Sequence, residues 1–528
     1  MPDNQKPLPG YISSLLLPEA YDHTTKNIRL IETHISWVIL TGAFAYKIKK
    51  PVNLGFLDFS TLEKRHFYCN EELRLNSKLA PDIYLDVAPV TGSKEYAIIS
   101  GTDPVIDYAI KMLQFPQDMQ LDNMLIAGLL KAKHIDALAN MVASFHQQTD
   151  IANENDSYGE PEKVYKPVKE NFILIRQLID DDRALGKLCE LEKWSTLTFT
   201  DLTPIFVQRK RDGFIRECHG DLHLHNLALI NEIPVAFDCI EFDPELRWID
   251  PISDIAFLIM DLQERQKTDF AYRFLNTYLE KTGDYSACQI LRFYLVYRAM
   301  VRAKVEAIRS SQGIINTLPQ QQGGIAFQNY LSLATSYLHT VKPMLIITCG
   351  MSASGKSTLT QTLAEKLAAI RLRSDIERKR QFNIAPENHG SAAFNAGIYS
   401  PEATQQTYHR LAELATLVLN ANYSVIIDAT CLRYDQRALF RQVATTKNIP
   451  FIILAFSANP NTLRQRINSR EKAVSDADQS ILEQQLINWK QLHKNEQPNI
   501  ITIDTECQTD ISSLLNKIAL YHEENKLA

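Results

Sequence analysis

Short alternating runs of apolar and polar residues dominate the first hundred or so positions, and longer helical periods take over afterwards. A leading helix is expected over Tyr11–Leu17. Ile35–Leu40 and Ala43–Lys50, separated by Thr41 and Gly42, predict two strands joined by a tight hairpin. Thr61–Leu79 has a helical period, and Ile83–Val90, Tyr96–Ile99 and Tyr108–Leu113 predict further strands. Beyond Pro116 helices dominate: Leu121–His134, Ile135–His146, Pro167–Asp180, then the apolar run Ile255–Met260 and a long helical stretch, Gln263–Arg309. The polar run Ser310–Gly324 predicts a loop, and Ile325–His339 a further helix. From Met344 the pattern changes. Apolar runs at 344–349, 370–373, 424–430 and 451–456 alternate with helical segments at Leu359–Ala369, Glu402–Ala421 and Asn461–Arg470. Such alternation predicts a parallel sheet buried on both faces. The expected architecture is an α+β N-terminal domain over 1–340, with a small strand-rich lobe and a larger helical lobe, followed by an α/β domain over 341–528.

Composition narrows the class only a little. The 528 residues are 45% hydrophobic and 22% charged, with a net charge of -6, which argues against a large non-specific nucleic-acid surface. No apolar run reaches the roughly 18–20 residues of a membrane span. The N-terminal residues lack the apolar core of a signal peptide. Eight cysteines occur without a C-x-x-C pair, which fits reduced thiols rather than a disulfide framework or zinc ribbon. A cytoplasmic protein with no membrane partner is expected; the sequence says nothing of oligomeric state.

The densest chemistry follows the apolar run at 344–349. Gly350, four intervening residues, then Gly355, Lys356 and Ser357 complete the G-x-x-x-x-G-K-[ST] pattern between a strand and a helix. A loop that wraps backbone N–H groups around phosphates needs glycine where side chains would clash. Gly350, Ser352, Ala353, Ser354, Gly355, Lys356, Ser357 and Thr358 are therefore the expected nucleotide cradle. Lys356 would reach the β- and γ-phosphates, and the Ser357 hydroxyl would hold Mg²⁺.

A second centre lies at Glu217–Leu227. His219, Asp221 and Asn226 have the H-x-D-x-x-x-x-N spacing of a kinase catalytic loop, and Asp238 follows Asn226 by twelve residues at the end of an apolar run. An aspartate beside an acceptor hydroxyl can orient it and take its proton. An amide oxygen and a second carboxylate can hold Mg²⁺ against the transferring phosphate. Three histidines (219, 223, 225) sit close together, but no further ligand pattern accompanies them, so a zinc site is the weaker reading.

This segment, with Asp250, Pro251, Asp254 and Ala256 after it, resembles the aminoglycoside phosphotransferase-like branch of the protein-kinase fold. The resemblance covers roughly 30–335. It implies Asp221 as catalytic base, Asn226 and Asp238 as metal ligands, and Asp254 as a support for the catalytic loop. It also implies a strand lysine on the phosphates paired to a helical glutamate: Lys47, with Lys49 as alternative, and Glu72, with Glu71 as alternative. Residues 32–36, where a phosphate-covering turn would lie, contain no glycine, and the protein-kinase Phe-Gly and A-P-E signatures are absent.

In the C-terminal half, Ser374 and Asp375 end the second apolar run. Asp375 would orient an acceptor hydroxyl, since ligands in such sheets gather beyond the carboxyl ends of the strands. Asp428 ends the next run, where it would support Mg²⁺. Arg464, Arg466 and Arg470, with the polar segment 473–478, could close as a lid on the phosphates, Arg466 foremost. The set is similar to P-loop kinases of the gluconate-kinase, zeta-toxin and polynucleotide 5′-kinase type, over roughly 344–525. Both halves in this order resemble bacterial bifunctional aminoglycoside phosphotransferase-like/ATP-binding proteins. That resemblance implies architecture more than substrate; the motifs together lead to the expectation of an ATP- and Mg²⁺-dependent phosphotransferase acting on a small-molecule hydroxyl, with a second, C-terminal ATP site expected also to be a kinase. A polynucleotide 5′-kinase activity in the C-terminal half, or a nucleotide-sensing regulator without transfer, are the alternatives.

Overall fold

A computed structural model describes residues 8–55, 57–311, 320–384, 397–469, 479–489 and 491–524. The chain divides into two units, Met1–Pro167 with Thr203–Leu258, and Val168–Leu202 with Ile259–Ala528.

The first unit begins with strands β1 (Arg29–Glu32), β2 (Ser36–Leu40), β3 (Phe44–Lys49), β4 (Tyr84–Gly92), β5 (Ala97–Ile99) and β6 (Val105–Leu113). They form one antiparallel sheet in the order β1-β2-β3-β6-β4-β5. Side chains alternate across a strand. Tyr46 and Ile48 of β3 therefore join Ile12, Trp37, Ile39, Val90 and Ile99 in one core, while Lys47 and Lys49 share the opposite face. That opposite side takes the helix Leu62–Asn76, capped by the Thr61 hydroxyl, with Cys69 packed against Ile83, Tyr84 and Ile110. Strand β1 precedes the first strand expected from the sequence, Ile35–Leu40. Three of its four residues are exposed, so no apolar alternation marks it.

The expected helix 121–134 is in fact a short helix, Leu121–Ile126, broken at Gly128 (φ 70°), before a long one, Ala132–Gln148. Further along come two small ribbons: β7 (Arg216–Glu217) pairs with β10 (Trp248–Ile249), and β8 (Leu227–Ile230) with β9 (Ile233–Ala236). The β8–β9 hairpin separates the 219–226 loop from Asp238.

In the second unit the long helical stretch expected over 263–309 is interrupted. The helix Thr268–Thr282 stops at Gly283, whose φ of 76° only glycine adopts readily, and Cys288–Ser311 follows. The expected loop 310–324 ends early, because the helix Gln320–Ser336 begins inside it; 312–319 lie outside the described residues. The sheet consists of β11 (Leu345–Cys349), β12 (Ile370–Arg373), β13 (Val425–Asp428), β14 (Phe451–Ser457) and β15 (Ile500–Asp504), in the order β12-β13-β11-β14-β15 and parallel throughout. Every residue of β11 and β13 is buried, which explains why those runs read as continuously apolar. Ile346, Leu363, Ile426, Ile452, Leu454 and Ile518 form the core between this sheet and its helices. The expected fold class, a two-lobed α+β domain followed by an α/β P-loop domain, is the one observed.

Candidate active sites

The first site starts from the shared face of β3. Lys47 and Lys49 are two residues apart, so both ammonium groups meet the Leu62–Asn76 helix. Glu72 on that helix accepts from both, at 2.8 Å from Lys47 Nζ and 2.6 Å from Lys49 Nζ. Lys47 also contacts Asp238, and Lys49 contacts Glu241. The result is a chain of alternating charge, Asp238–Lys47–Glu72–Lys49–Glu241. Glu72 and Lys49 are fully buried. Glu71 turns away to Arg74 and Arg247, so Glu72 is the inward carboxylate. Burial alone would push Lys47 down, but the charges of Asp238 and Glu72 hold it well above the usual lysine range. Asp238 shows the mirror effect: burial pushes it up, and the Lys47 ammonium outweighs that and lowers it. Its side chain still keeps 46% of its surface exposed.

Asp238 has φ 64°, a left-handed conformation unusual for a non-glycine residue. Two groups hold it there: its N–H donates to the Tyr84 hydroxyl at 3.1 Å, and the next N–H, on Cys239, donates to Asn76 Oδ1 at 3.0 Å. Asn76 lies one helical turn beyond Glu72, so one helix positions both the glutamate and the loop that carries Asp238.

The catalytic-loop residues converge on the same place. Asn226 Nδ2 donates to Asp221 Oδ2 at 2.9 Å and to its backbone carbonyl at 3.1 Å. His223 Nε2 lies 3.2 Å from the same carboxylate. The fully buried His219 accepts the Asp221 N–H on Nδ1 at 3.2 Å, so Nε2 carries the proton it gives to Phe237 O at 2.9 Å. Burial lowers its pKa, against the pull of Asp254, in keeping with a neutral structural imidazole. Asp254 accepts the N–H groups of His219 (3.0 Å) and Gly220 (2.9 Å) and meets His146 Nε2 at 3.1 Å. It thus braces the loop from beneath. Sequence reading missed Asn76, Tyr84, His146 and Glu241; only Glu241, three residues after Asp238, stood close to a motif.

The second site forms at the carboxyl end of the parallel sheet. Gly350 passes so close to β14 that a Cβ there would come within 2.9 Å of the Phe456 Cβ and carbonyl oxygen. Ala353 (φ 63°) and Gly355 (φ 82°) bend the loop. The Ser352 N–H donates to Gln485 Oε1 at 2.8 Å. Lys356 Nζ folds over its own loop, donating to Gly350 O at 2.9 Å and Met351 O at 2.6 Å and lying 3.4 Å from Ser354 Oγ. A cavity of about 510 Å³ opens here, lined by residues 352–358, including Ser357 and Thr358, together with Asp375 and Asp428. Three arginines, Arg373, Arg378 and Arg433, also line it.

Asp428 ends β13 and is 5% exposed. Its Oδ2 is buried without a hydrogen-bond partner among the described residues, and Arg373 Nε stands 3.7 Å from it. An unsatisfied buried carboxylate oxygen lining the same cavity as a serine hydroxyl offers hard-oxygen donors of the kind that suit Mg²⁺. In the first site the Asn226 amide oxygen and the Asp238 carboxylate are oxygen donors of the same hard type, Asp238 being paired with Lys47.

Arg466 does not line the cavity. Its guanidinium donates to the Thr505 hydroxyl at 3.0 Å and carbonyl at 2.7 Å, immediately after β15. Arg464 pairs with Glu483, and Arg470 with the segment 473–478 lies outside the described residues. No helix among the described residues is long and apolar enough to cross a membrane.

The family described as "AAA domain" matches residues 345–492, the P-loop half. The uncharacterized protein Rv2004c of Mycobacterium tuberculosis is 31% identical over 450 residues, covering 85% of this chain and 88% of its own length. Among solved structures, a sugar kinase from Janibacter sp. HTCC2649 covers 35% of this chain and 95% of its own, with 21% identity and a TM-score of 0.27. A choline/ethanolamine kinase family protein from Mesorhizobium loti covers 62% of this chain and 97% of its own, with 8% identity and a TM-score of 0.37.

Proposed function

The chain belongs to the family of the mycobacterial protein Rv2004c, and we propose that it is an ATP-dependent phosphotransferase with two nucleotide sites, 1–340 forming the first kinase domain and 341–528 the second. The observation that carries this reading is the convergence of Lys47, Glu72 and Asp238 beside the Asp221–Asn226 pair, residues up to 191 positions apart in the chain. Such an arrangement serves phosphoryl transfer, where positioning and charge stabilisation do most of the catalysis.

In the first site Asp221 orients the acceptor hydroxyl and takes its proton as the new O–P bond forms and ADP leaves. Lys47, held by Glu72, neutralises phosphate charge. Asn226 Nδ2 fixes the Asp221 carboxylate, which leaves the amide oxygen for a cation. In the second site Lys356 exchanges its loop carbonyls for phosphate oxygens, and Asp375 orients the acceptor. Magnesium, held by Asn226 and Asp238 in the first site and by Ser357 and Asp428 in the second, would supply charge neutralisation on the transferring phosphate. The proposed acceptor of the first site is a small-molecule hydroxyl. The three arginines of the second cavity suit an acceptor that is itself anionic. They keep a polynucleotide 5′-end as a second reading for that half.

The test is acceptor-dependent ATP turnover by the wild type, Asp221→Asn and Lys356→Ala against sugars, aminoglycosides, nucleosides and short oligonucleotides. Loss of turnover toward one acceptor in one variant assigns that acceptor to that site. Turnover unaffected by either substitution would leave the chain better described as a nucleotide-binding regulator.

A further inference from the structure

Strand β12 is the edge of the parallel sheet, and a helix that precedes the P-loop strand by more than sixty residues closes that edge. On this helix, Thr268–Thr282, Asn276 imitates a neighbouring strand. Its Oδ1 accepts the Arg371 N–H at 2.7 Å and its Nδ2 donates to Ala369 O at 2.9 Å. One turn further on, Glu280 meets two arginines of β12. Arg371 and Arg373 are two apart and so share a face. Glu280 Oε1 accepts from Arg371 Nε at 2.9 Å, and Oε2 from Arg373 Nη1 at 3.3 Å. Glu280 is 8% exposed and Arg371 5%.

Each arginine then reaches the nucleotide site. Arg371 Nη1 donates to the Ser357 carbonyl at 3.3 Å. Arg373 stands beside Asp428, its partner in the β12–β13 register, with Nε 3.7 Å from Oδ2. That is too long for a hydrogen bond, and Asp428 Oδ2 stays unsatisfied. One carboxylate outside the P-loop fold therefore touches, through a single arginine each, the two residues that would hold Mg²⁺.

We infer that Glu280 is a positioning residue for the second site: it draws Arg373 away from Asp428, and so keeps the Asp428 carboxylate free for a metal ion. The inference rests on the reading of Ser357 and Asp428 as metal holders. Without the Glu280 charge, Arg373 turns to Asp428 and makes the short charge-assisted bond now missing. A cation must then displace a guanidinium.

The experiment is binding of a fluorescent ADP analogue to the full chain across a Mg²⁺ titration, following the component that Lys356→Ala removes. Glu280→Gln keeps the shape and drops the charge. The Mg²⁺ concentration for half-maximal binding should rise about tenfold, the scale of one hydrogen bond to a charged group. Metal-free binding should stay near wild type, while the melting temperature falls, because Arg371 loses its buried carboxylate partner. Adding Arg373→Gln should reverse the rise, because the competing cation is gone. An unshifted Mg²⁺ midpoint in Glu280→Gln overturns the inference, as does a shift that persists in the double variant. A parallel fall in metal-free binding overturns it too, since that would mark a merely structural role. If the wild type itself binds the analogue without regard to Mg²⁺, the reading of Ser357 and Asp428 fails, independently of Glu280.

Discussion

Lys49→Met should show how the buried charge chain of the first unit is balanced. Lys49 is fully buried, lies between Glu72 and Glu241, and rests 4.8 Å from the Phe59 ring centroid. Methionine matches its length and suits the aromatic neighbour. The substitution leaves Glu72 with Lys47 but takes the lysine partner from Glu241, which is 5% exposed. Breaking a buried pair from one side costs about 3–5 kcal/mol, because a charge stays buried and uncompensated. Burial already pushes the Glu241 carboxyl above its usual range, against the pull of Lys49. A carboxyl whose folded pKa is raised stabilises the fold fully below its unfolded value and loses that contribution as pH rises through the folded one. Removing Lys49 raises the folded value further, so Glu241 protonates and relieves the strain in acid. The full cost is therefore expected near about pH 8, falling to about 1 kcal/mol or less near about pH 5. Hydrogen exchange of peptides spanning Ser36–Lys49, wild type against variant at both pH values, reads the opening free energy of this lobe. A cost equal at the two pH values, or below about 1 kcal/mol at the higher one, would refute the reasoning.

Other substitutions test separate parts of the account. Gly350→Ala forces a Cβ into β14 and should abolish nucleotide binding at the second site while leaving binding lost in Lys47→Met variants intact, as read by calorimetry. Asp254→Asn puts an NH₂ where one of the His219 or Gly220 N–H groups needs an acceptor. It should cost about 1–3 kcal/mol and lower first-site turnover well beyond any change in ATP affinity. Arg437→Met strands Glu496, which now accepts both ends of a bidentate pair at 2.8 and 2.9 Å, and should cost about 3–5 kcal/mol in urea unfolding. Burial raises the Glu496 pKa, but Arg437 lowers it further. Stability from that pair is thus present above the unfolded value and lost as pH falls through the folded one, an acid sensitivity the variant should lack.

Much of both sites could be read from the chain because their chemistry sits in short segments. The P-loop occupies eight consecutive residues, and Asp221 and Asn226 share one loop. Lys47 and Lys49 could not be separated by pattern, since two positions apart means the same strand face, and the structure joins both to Glu72. Glu71 and Glu72 differ by one helical step of about 100°, and only the packing of Cys69 and Leu73 against the sheet says which one turns inward. Nothing local ties Tyr84 to Asp238 or Glu280 to Arg373; those contacts join segments far apart in the sequence. Arg466 illustrates the reverse: a charged residue in a helix after a buried strand, which turns to the Thr505 carbonyl rather than lining the cavity. The helix Asp182–Arg211 continues through Pro204, a residue that in sequence marks a helix boundary.

The central claim is that one chain holds two nucleotide sites. Calorimetric titration of the full chain with a non-hydrolysable ATP analogue and Mg²⁺ tests it most directly. Two analogue molecules should bind per chain, one remaining in Lys47→Met, one in Lys356→Ala, and none in the double variant. A stoichiometry of one that Lys356→Ala abolishes and Lys47→Met leaves untouched would contradict it.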